Sequence, residues 1–158
     1  MEVKFILLAI LIILFASAWV ISKSQLSKKI KMTETFFLFA NLILFISSIT
    51  GFILTLIMGE KILTTHVFEL VLIPALFAFI VTGISTKKEN ADELYDEKQK
   101  SDMKDAAAFS WMIVIITTFV LYAMYSAENI SGLIFFPIIL FVAFASYAGS
   151  LLYFNKMG

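Results

Sequence analysis

The chain has 158 residues, of which 61% are apolar and 15% charged, and its formal net charge is zero. A soluble domain has about 45–50% apolar and about 25% charged residues, and one of this size buries only about two-thirds of its surface. The composition therefore indicates an integral membrane protein. Zero net charge excludes the basic footprint of nucleic-acid-binding proteins, and the absence of cysteine excludes disulfides and thiolate metal sites.

Five apolar stretches are long enough to cross a bilayer as helices. A helix rises about 1.5 Å per residue, so a hydrocarbon core of about 30 Å needs about 20 residues. The predicted spans are 3–22, 36–58, 65–85, 106–125 and 130–154. We therefore expect an all-α integral membrane protein in which residues 1–158 form a single transmembrane helical domain and residues 86–105 form a polar segment.

The first apolar stretch has a second interpretation, as a cleaved signal peptide, because residues 16–18 form a small-residue sequence of the kind found at cleavage sites. The apolar run nevertheless continues through residues 19–21. Cleavage would also place the lysine-rich segments outside the cell, against the positive-inside rule. These two observations favour a first span that is retained.

The distribution of lysine predicts the orientation of the spans. Ten of the twelve lysines lie in loop 23–35, in segment 86–105 and at the C-terminus, whereas only Lys4 and Lys61 lie on the other side. Lysine-rich segments stay in the cytoplasm. We therefore expect the N-terminus outside, the C-terminus in the cytoplasm and a multi-pass location in the cell (plasma) membrane. All twelve cationic residues are lysine and none is arginine, a bias that an AT-rich genome produces. We therefore expect a prokaryotic source.

The polar stretch before the fourth span carries five lysines and seven acidic residues between positions 87 and 111. No glycine or proline, the usual helix breakers, occurs between Ile84 and Ser131, and residues 86–89 fit a capping box. The sequence therefore predicts one helix from about 90 to 125, in which the fourth span extends into the cytoplasm as a polar helix. A separate helix that begins at Asp102 is the alternative.

The projecting part of this helix has three apolar side chains, those of Leu94, Tyr95 and Met103. They are the candidate docking residues for a soluble partner or for a second copy of the chain. The alternative is a solvated segment that only sets the topology, since charge runs are commonly solvated faces.

Asn41, His66 and Glu69 are the candidate polar residues within the membrane. His66 and Glu69 share a helix face at a spacing of three residues, and an intramembrane carboxylate is a candidate for proton or ion coupling. The alternative is that both lie in the outer turn of the third span, where Glu69 complements the helix dipole. Asn41 is expected to hydrogen-bond a neighbouring helix. No catalytic motif, metal site or cofactor site is predicted.

Small residues recur every four positions on two of the spans. Ser47, Gly51 and Thr55 do so on the second span, and Ala145 and Gly149 on the fifth. Small residues at this spacing let helices approach closely in lipid. The second and fifth spans are therefore expected to pack against each other through these faces.

The C-terminal half resembles a group of small membrane proteins of Gram-positive bacteria and archaea that carry a "DER" motif. The matching residues are Asp92-Glu93, the sequence DEKQKSDMKDAAAFSW that begins at Asp96, and LLYFNKMG at the C-terminus. Lys98 stands where arginine is usual in that group. The resemblance implies a membrane location and no particular activity.

These observations predict a non-enzymatic membrane protein that acts through helix packing and a cytoplasmic helix, as an accessory, regulatory or immunity-type subunit. Its partners are expected to be the lipid bilayer and either a second copy or another membrane or cytoplasmic protein, with no nucleic acid. The alternative is a small transporter or channel subunit that uses Glu69. The absence of paired catalytic groups argues against an intramembrane enzyme.

Overall fold

The computed structural model describes residues 34–85 and 94–157, together with seven helical residues of the N-terminal segment. Those seven residues are Ala9, Ile10, Ile12, Ile13, Ala16, Ser17 and Val20. The predicted first span, 3–22, therefore lies largely outside the described residues, and the loop that follows it lies outside them entirely.

Within these residues every regular element is a helix, which confirms the all-α fold class. They comprise five α-helices and a short 3₁₀-helix, Gly132–Ile134, that leads into the last of them. The five are α1 (Glu34–Met58), α2 (Lys61–Thr64), α3 (Val67–Ser85), α4 (Leu94–Ser126) and α5 (Phe135–Met157).

Three of these helices are long and apolar enough to cross a bilayer. They contain the stretches Thr35–Met58, Lys100–Ser126 and Gly132–Phe154, which correspond to the second, fourth and fifth predicted spans. The third predicted span corresponds to α3, whose apolar stretch Val67–Thr82 is shorter. The three long helices indicate a multi-pass membrane location.

Helix α4 runs without a break from the polar segment into the apolar one. It has 33 residues, which makes it about 50 Å long at about 1.5 Å per residue. Asp102 lies inside the helix and does not begin a separate one. The prediction of one continuous helix is therefore confirmed from Leu94 onward, while residues 86–93 lie outside the described part of the chain.

Helices α1 and α5 pack antiparallel, and a phenylalanine ring of each helix lies over a glycine of the other. The ring of Phe141 lies directly over Gly51, so a Cβ at position 51 would overlap it. Towards the other end of the pair, Gly149 lies beneath Phe45, whose ring would be 3.0 Å from a Cβ at position 149. The two helices thus pack through their small residues, as expected, but each glycine receives a ring instead of a second small residue.

Helix α3 packs against α1 and completes the main core. Leu44, Ala75 and Phe141 are fully buried there. Phe68 of α3 meets Phe141 edge-on, with the ring centroids 5.6 Å apart. Edge-to-face aromatic pairs contribute about 0.5–1.5 kcal/mol beyond the burial of their area. Phe141 of α5 therefore contacts both α1 and α3.

Helix α4 packs on α5, and a tight turn connects the two. The N–H of Asn129 donates to the carbonyl of Met124 at 3.0 Å, and the N–H of Glu128 donates to the carbonyl of Tyr125 at 2.9 Å. This is the Schellman arrangement, and Glu128 adopts a φ of 57°, which glycine commonly supplies at this position. The turn sends α5 back along α4.

The antiparallel packing gives the bundle two distinct ends. Connections 59–66 and 127–131 lie at one of them, named here the turn end. Glu34, Leu94 and Met157 lie at the other, named here the terminal end. The predicted polar pair, His66 and Glu69, lies at the turn end, whereas the polar part of α4 lies at the terminal end.

Gly51→Ala tests the contact between the ring of Phe141 and the backbone of α1. The added methyl group would overlap a fully buried ring, and overpacking a core costs about 1–3 kcal/mol. Alanine recovers up to about 1 kcal/mol in helix propensity, so we expect a net loss of about 1–2 kcal/mol. The measurement is the thermal unfolding temperature in detergent, which should fall.

Gly149→Ala is the matched control, because it adds the same methyl group beside Phe45, whose ring is only half-buried and can shift. It should lower the unfolding temperature less than Gly51→Ala does. An unchanged unfolding temperature for Gly51→Ala would contradict the tight contact.

Candidate functional site

The candidate polar site lies at the connection between α1 and α3. Helix α1 ends at Met58. The next residue, Gly59, has a φ of 55°, and its N–H donates to the carbonyl of Thr55 at 2.9 Å. The short helix α2 follows and is anchored by the fully buried side chain of Ile62. Thr65 closes α2, since its N–H and its hydroxyl both donate to the carbonyl of Lys61, at 3.0 and 2.7 Å.

His66 joins α2 to α3 in a left-handed backbone conformation, with a φ of 60°. This conformation costs a residue with a Cβ about 1–2 kcal/mol, although histidine is among the residues that adopt it more often than most. The carbonyl of His66 accepts the N–H of Leu70 at 3.2 Å and so opens α3. The strained residue therefore places its imidazole beside the first turn of α3.

The imidazole of His66 and the carboxylate of Glu69 lie next to each other. Nδ1 of His66 is 3.9 Å from Oε1 of Glu69, which is too long for a hydrogen bond but close enough for an ion pair when the imidazole is protonated. Among the described residues, Nδ1 of His66 and Oε2 of Glu69 are buried and have no hydrogen-bond partner. The side chains are 38% and 17% exposed, so the pair is partly accessible at the turn end.

This pair can hold a proton or contact a cation. Buried polar atoms in proteins normally have a partner, and each exception calls for an explanation. The described residues contain no group of three or more His, Cys, Asp or Glu placed to hold a metal ion, so the pair offers at most two ligands. Glu69 also lies in the first turn of α3, where its charge complements the helix dipole. The structure is therefore consistent with this interpretation and also with a carboxylate that couples to a proton or an ion.

Asn41 is far from this pair. It lies on α1 well before Met58, about 25 Å from the turn end at about 1.5 Å per residue. Its side chain is 1% exposed, its Nδ2 donates to the carbonyl of Phe37 at 2.9 Å, and its Oδ1 has no partner among the described residues. The expected bond to a neighbouring helix is therefore wrong for the part of the chain that is described. The three predicted residues do not form one site.

Two buried hydroxyls on α1 also bond within their own helix. The hydroxyl of Ser48 donates to the carbonyl of Leu44 at 2.6 Å, and that of Thr55 donates to the carbonyl of Gly51 at 2.7 Å. Both residues are fully buried. These hydroxyls are satisfied without a second helix, which lets the face of α1 that carries them pack against apolar side chains.

A hydroxyl contact joins α4 to α5. Ser110 of α4 donates to the carbonyl of Ala143 at 2.9 Å and lies 2.9 Å from the hydroxyl of Ser146. Ser146 in turn donates to the carbonyl of Val142 at 2.7 Å, in its own helix. Ser110 was not among the predicted residues, because in the sequence it is only a hydroxyl in an apolar span, which does not reveal its partner.

The predicted docking residues separate into two groups. Leu94 and Tyr95 begin α4, and the structure describes their backbone. Met103 is partly buried and packs against a cluster around Phe37. It shares a helix face with Ala106, which is fully buried against α5. Met103 therefore contributes to the packing of the terminal end, while its role as a docking residue stays a prediction.

No protein-family model, curated protein or solved structure matches the chain. The resemblance to the DER-motif membrane proteins therefore stays a prediction.

Ser110→Ala tests the hydroxyl contact between α4 and α5. The substitution removes the donor to the carbonyl of Ala143, and interhelical hydrogen bonds in membrane proteins contribute about 0.6–1.7 kcal/mol. We expect a loss of about 1 kcal/mol, measured as a lower unfolding temperature in detergent.

The matched control is Thr118→Ala, because the hydroxyl of Thr118 is exposed and donates to the carbonyl of Val114 in its own helix at 2.8 Å. This variant should unfold close to the temperature of the parent protein. If both variants unfold at the same temperature, the contact between α4 and α5 contributes no measurable stability.

Proposed function

We propose that this chain is a non-enzymatic protein of the cell membrane that acts as an accessory, regulatory or immunity-type subunit. It crosses the membrane five times, with the first span at 3–22 and the third at α3. Its terminal end faces the cytoplasm and its N-terminus lies outside. The support for this orientation is the lysine count of ten against two, since lysine-rich segments stay in the cytoplasm.

The observation that carries the proposal is the exposure of α4. Only 11% of its apolar stretch is buried, against 33% in α1 and in α5. One side of α4 packs on α5, and the remaining sides present large apolar side chains. The more exposed of these are Trp111, Met112, Ile116, Phe119, Val120 and Tyr122. Because α4 packs on a single neighbour among the described helices, its other sides are available to pack against a helix of a partner.

The polar extension of α4 offers such a partner a second surface of contact. It continues the exposed helix beyond the apolar stretch as part of the same 33-residue rod. Lys98, Lys104 and Asp105 are exposed on it. A partner that packs along α4 in the membrane therefore meets charges of both signs in the cytoplasm.

A photoreactive phenylalanine analogue at Phe119 tests this proposal in native membranes. We expect it to form an adduct with a protein, because Phe119 lies on the exposed side of α4 and is 70% exposed. The matched control is the same analogue at Leu70 of α3, which is 72% exposed and should react with lipid. Gel mobility and mass spectrometry separate the two products. Lipid adducts alone at both positions would contradict the proposal.

A small transporter or channel subunit is the second candidate function. The observation that favours it is the His66–Glu69 pair, in which two buried polar atoms lack partners among the described residues beside a strained backbone. Unpartnered polar atoms and strained residues occur preferentially at functional sites. In this alternative, the carboxylate of Glu69 exchanges a proton or a cation at the outer membrane surface.

Glu69→Gln in liposomes tests the second candidate. The amide keeps the size of the side chain but removes its charge, so proton or cation flux should fall at least tenfold if the carboxylate carries it. His66→Asn is the companion variant, because asparagine tolerates the left-handed backbone but cannot carry the proton of an imidazole. Equal flux in the parent protein and in Glu69→Gln rules this candidate out.

A further inference from the structure

Helix α4 lies at the edge of the described bundle, with α5 as its main neighbour. Its packing side carries Ala106, Ser110 and Leu121, all of which are buried. At about 100° per residue, the opposite side of the helix carries a row of exposed residues, named here the outer stripe. The outer stripe consists of Ser101, Asp105, Ala108, Met112, Ile115, Phe119, Tyr122 and Ser126.

The outer stripe has the spacing and the composition of a helix-pairing surface. Its residues follow one another at alternating intervals of four and three, the a and d positions of a left-handed helix pair, and helices in membranes mostly pack with this hand. Met112, Ile115 and Phe119 make its middle apolar. Towards the terminal end it continues into Asp105, so acyl chains complement only part of it and give the carboxylate no partner.

The charged part of the outer stripe is complementary to a second copy of itself. Lys104 and Asp105 are exposed, and neither forms an ion pair among the described residues. Adjacent residues on a helix do not face each other, so the two are poorly placed to pair within one chain. In a parallel helix pair, each a-position side chain enters a hole formed by four residues of the facing helix. The hole for Asp105 is formed by residues 101, 104, 105 and 108 of the other copy.

We propose that two copies of the chain pair in parallel through the outer stripe, with Lys104 of each copy beside Asp105 of the other. The inference rests on the proposed function, because it names the partner that packs along α4 and requires both copies to have the same orientation. Two-fold symmetry gives the charged contact twice, so two ammonium groups balance two carboxylates in one layer. Ser101 and Ala108 lie on either side of this layer, and such small residues let helices approach closely.

Single cysteines test the pairing, because the chain has no native cysteine. Ile115→Cys lies on the outer stripe. The matched control is Ile116→Cys, which changes the same type of side chain at nearly the same depth but about 100° further round α4; the two isoleucines are 50% and 61% exposed. A disulfide needs Cβ atoms about 3.5–4.5 Å apart. Under oxidation in the membrane, we expect about tenfold more disulfide-linked dimer from Ile115→Cys than from Ile116→Cys.

A second matched set, Phe119→Cys with Val120→Cys, guards against a variant that fails to fold. Phe119 lies on the outer stripe and Val120 does not, although both are exposed, at 70% and 52%. The position on the outer stripe should again give the higher yield of dimer.

Charge reversal tests the contact between Lys104 and Asp105. Lys104→Asp alone places four carboxylates in the charged layer of a dimer, and Asp105→Lys alone places four ammonium groups there. A mixed dimer of the two variants restores two of each. We therefore expect co-expressed variants, each carrying Ile115→Cys and a different tag, to form mixed dimers well above the random ratio of two to one over either unmixed dimer. A random ratio would overturn the proposed contact.

The outcomes separate this inference from the proposed function. The photoreactive analogue at Phe119 reports contact with any protein, whereas the cysteines report only a second copy. Protein adducts of another mass, without disulfide-linked dimers at position 115 or 119, overturn the pairing and leave the proposed function standing. Lipid adducts alone overturn both. Equal dimer yields on and off the outer stripe indicate random collision in the membrane and also overturn the pairing.

Discussion

The fit of Phe141 over Gly51 is the contact on which the rest of the bundle depends. It sets the distance between α1 and α5, and the same ring meets Phe68 of α3 edge-on. Helix α4 is then attached to the far side of α5 through Ala106, Ser110 and Leu121. Lipid provides no hydrophobic force that draws helices together, so close packing of this kind is what holds the described helices to one another.

Polar side chains are distributed unevenly over the helix bundle. Along the middle of α1, hydroxyls such as that of Thr55 bond to their own helix, and the hydroxyl of Ser110 meets a partner on α5. Buried atoms without partners among the described residues belong to Asn41 near one end and to the His66–Glu69 pair at the other. About 25 Å of α1 separates Asn41 from the turn end, so these unpartnered atoms belong to two separate places in the bundle.

Much of the architecture could be predicted because it follows from length and composition. The helices that correspond to the second, fourth and fifth spans come from uninterrupted apolar runs, and the continuity of α4 through Asp102 follows from the absence of helix breakers. The site was less predictable. The closeness of His66 and Glu69 is local and was expected, but the bond of Asn41 to Phe37 was not, because the choice between its own helix and a neighbour depends on which side chains surround it.

The sequence by itself determined the membrane class, the helical content and the residues that carry charge, because each of these depends on local composition and on the thickness of a bilayer. The tertiary structure alone decided that rings cover Gly51 and Gly149, that Met103 packs against the cluster around Phe37, and that α4 keeps most of its surface exposed. The physical reason is that helix rotation and depth are set by side chains from distant parts of the chain. In a span that is apolar on every side, the periodicity of hydrophobic residues does not reveal which face will be covered.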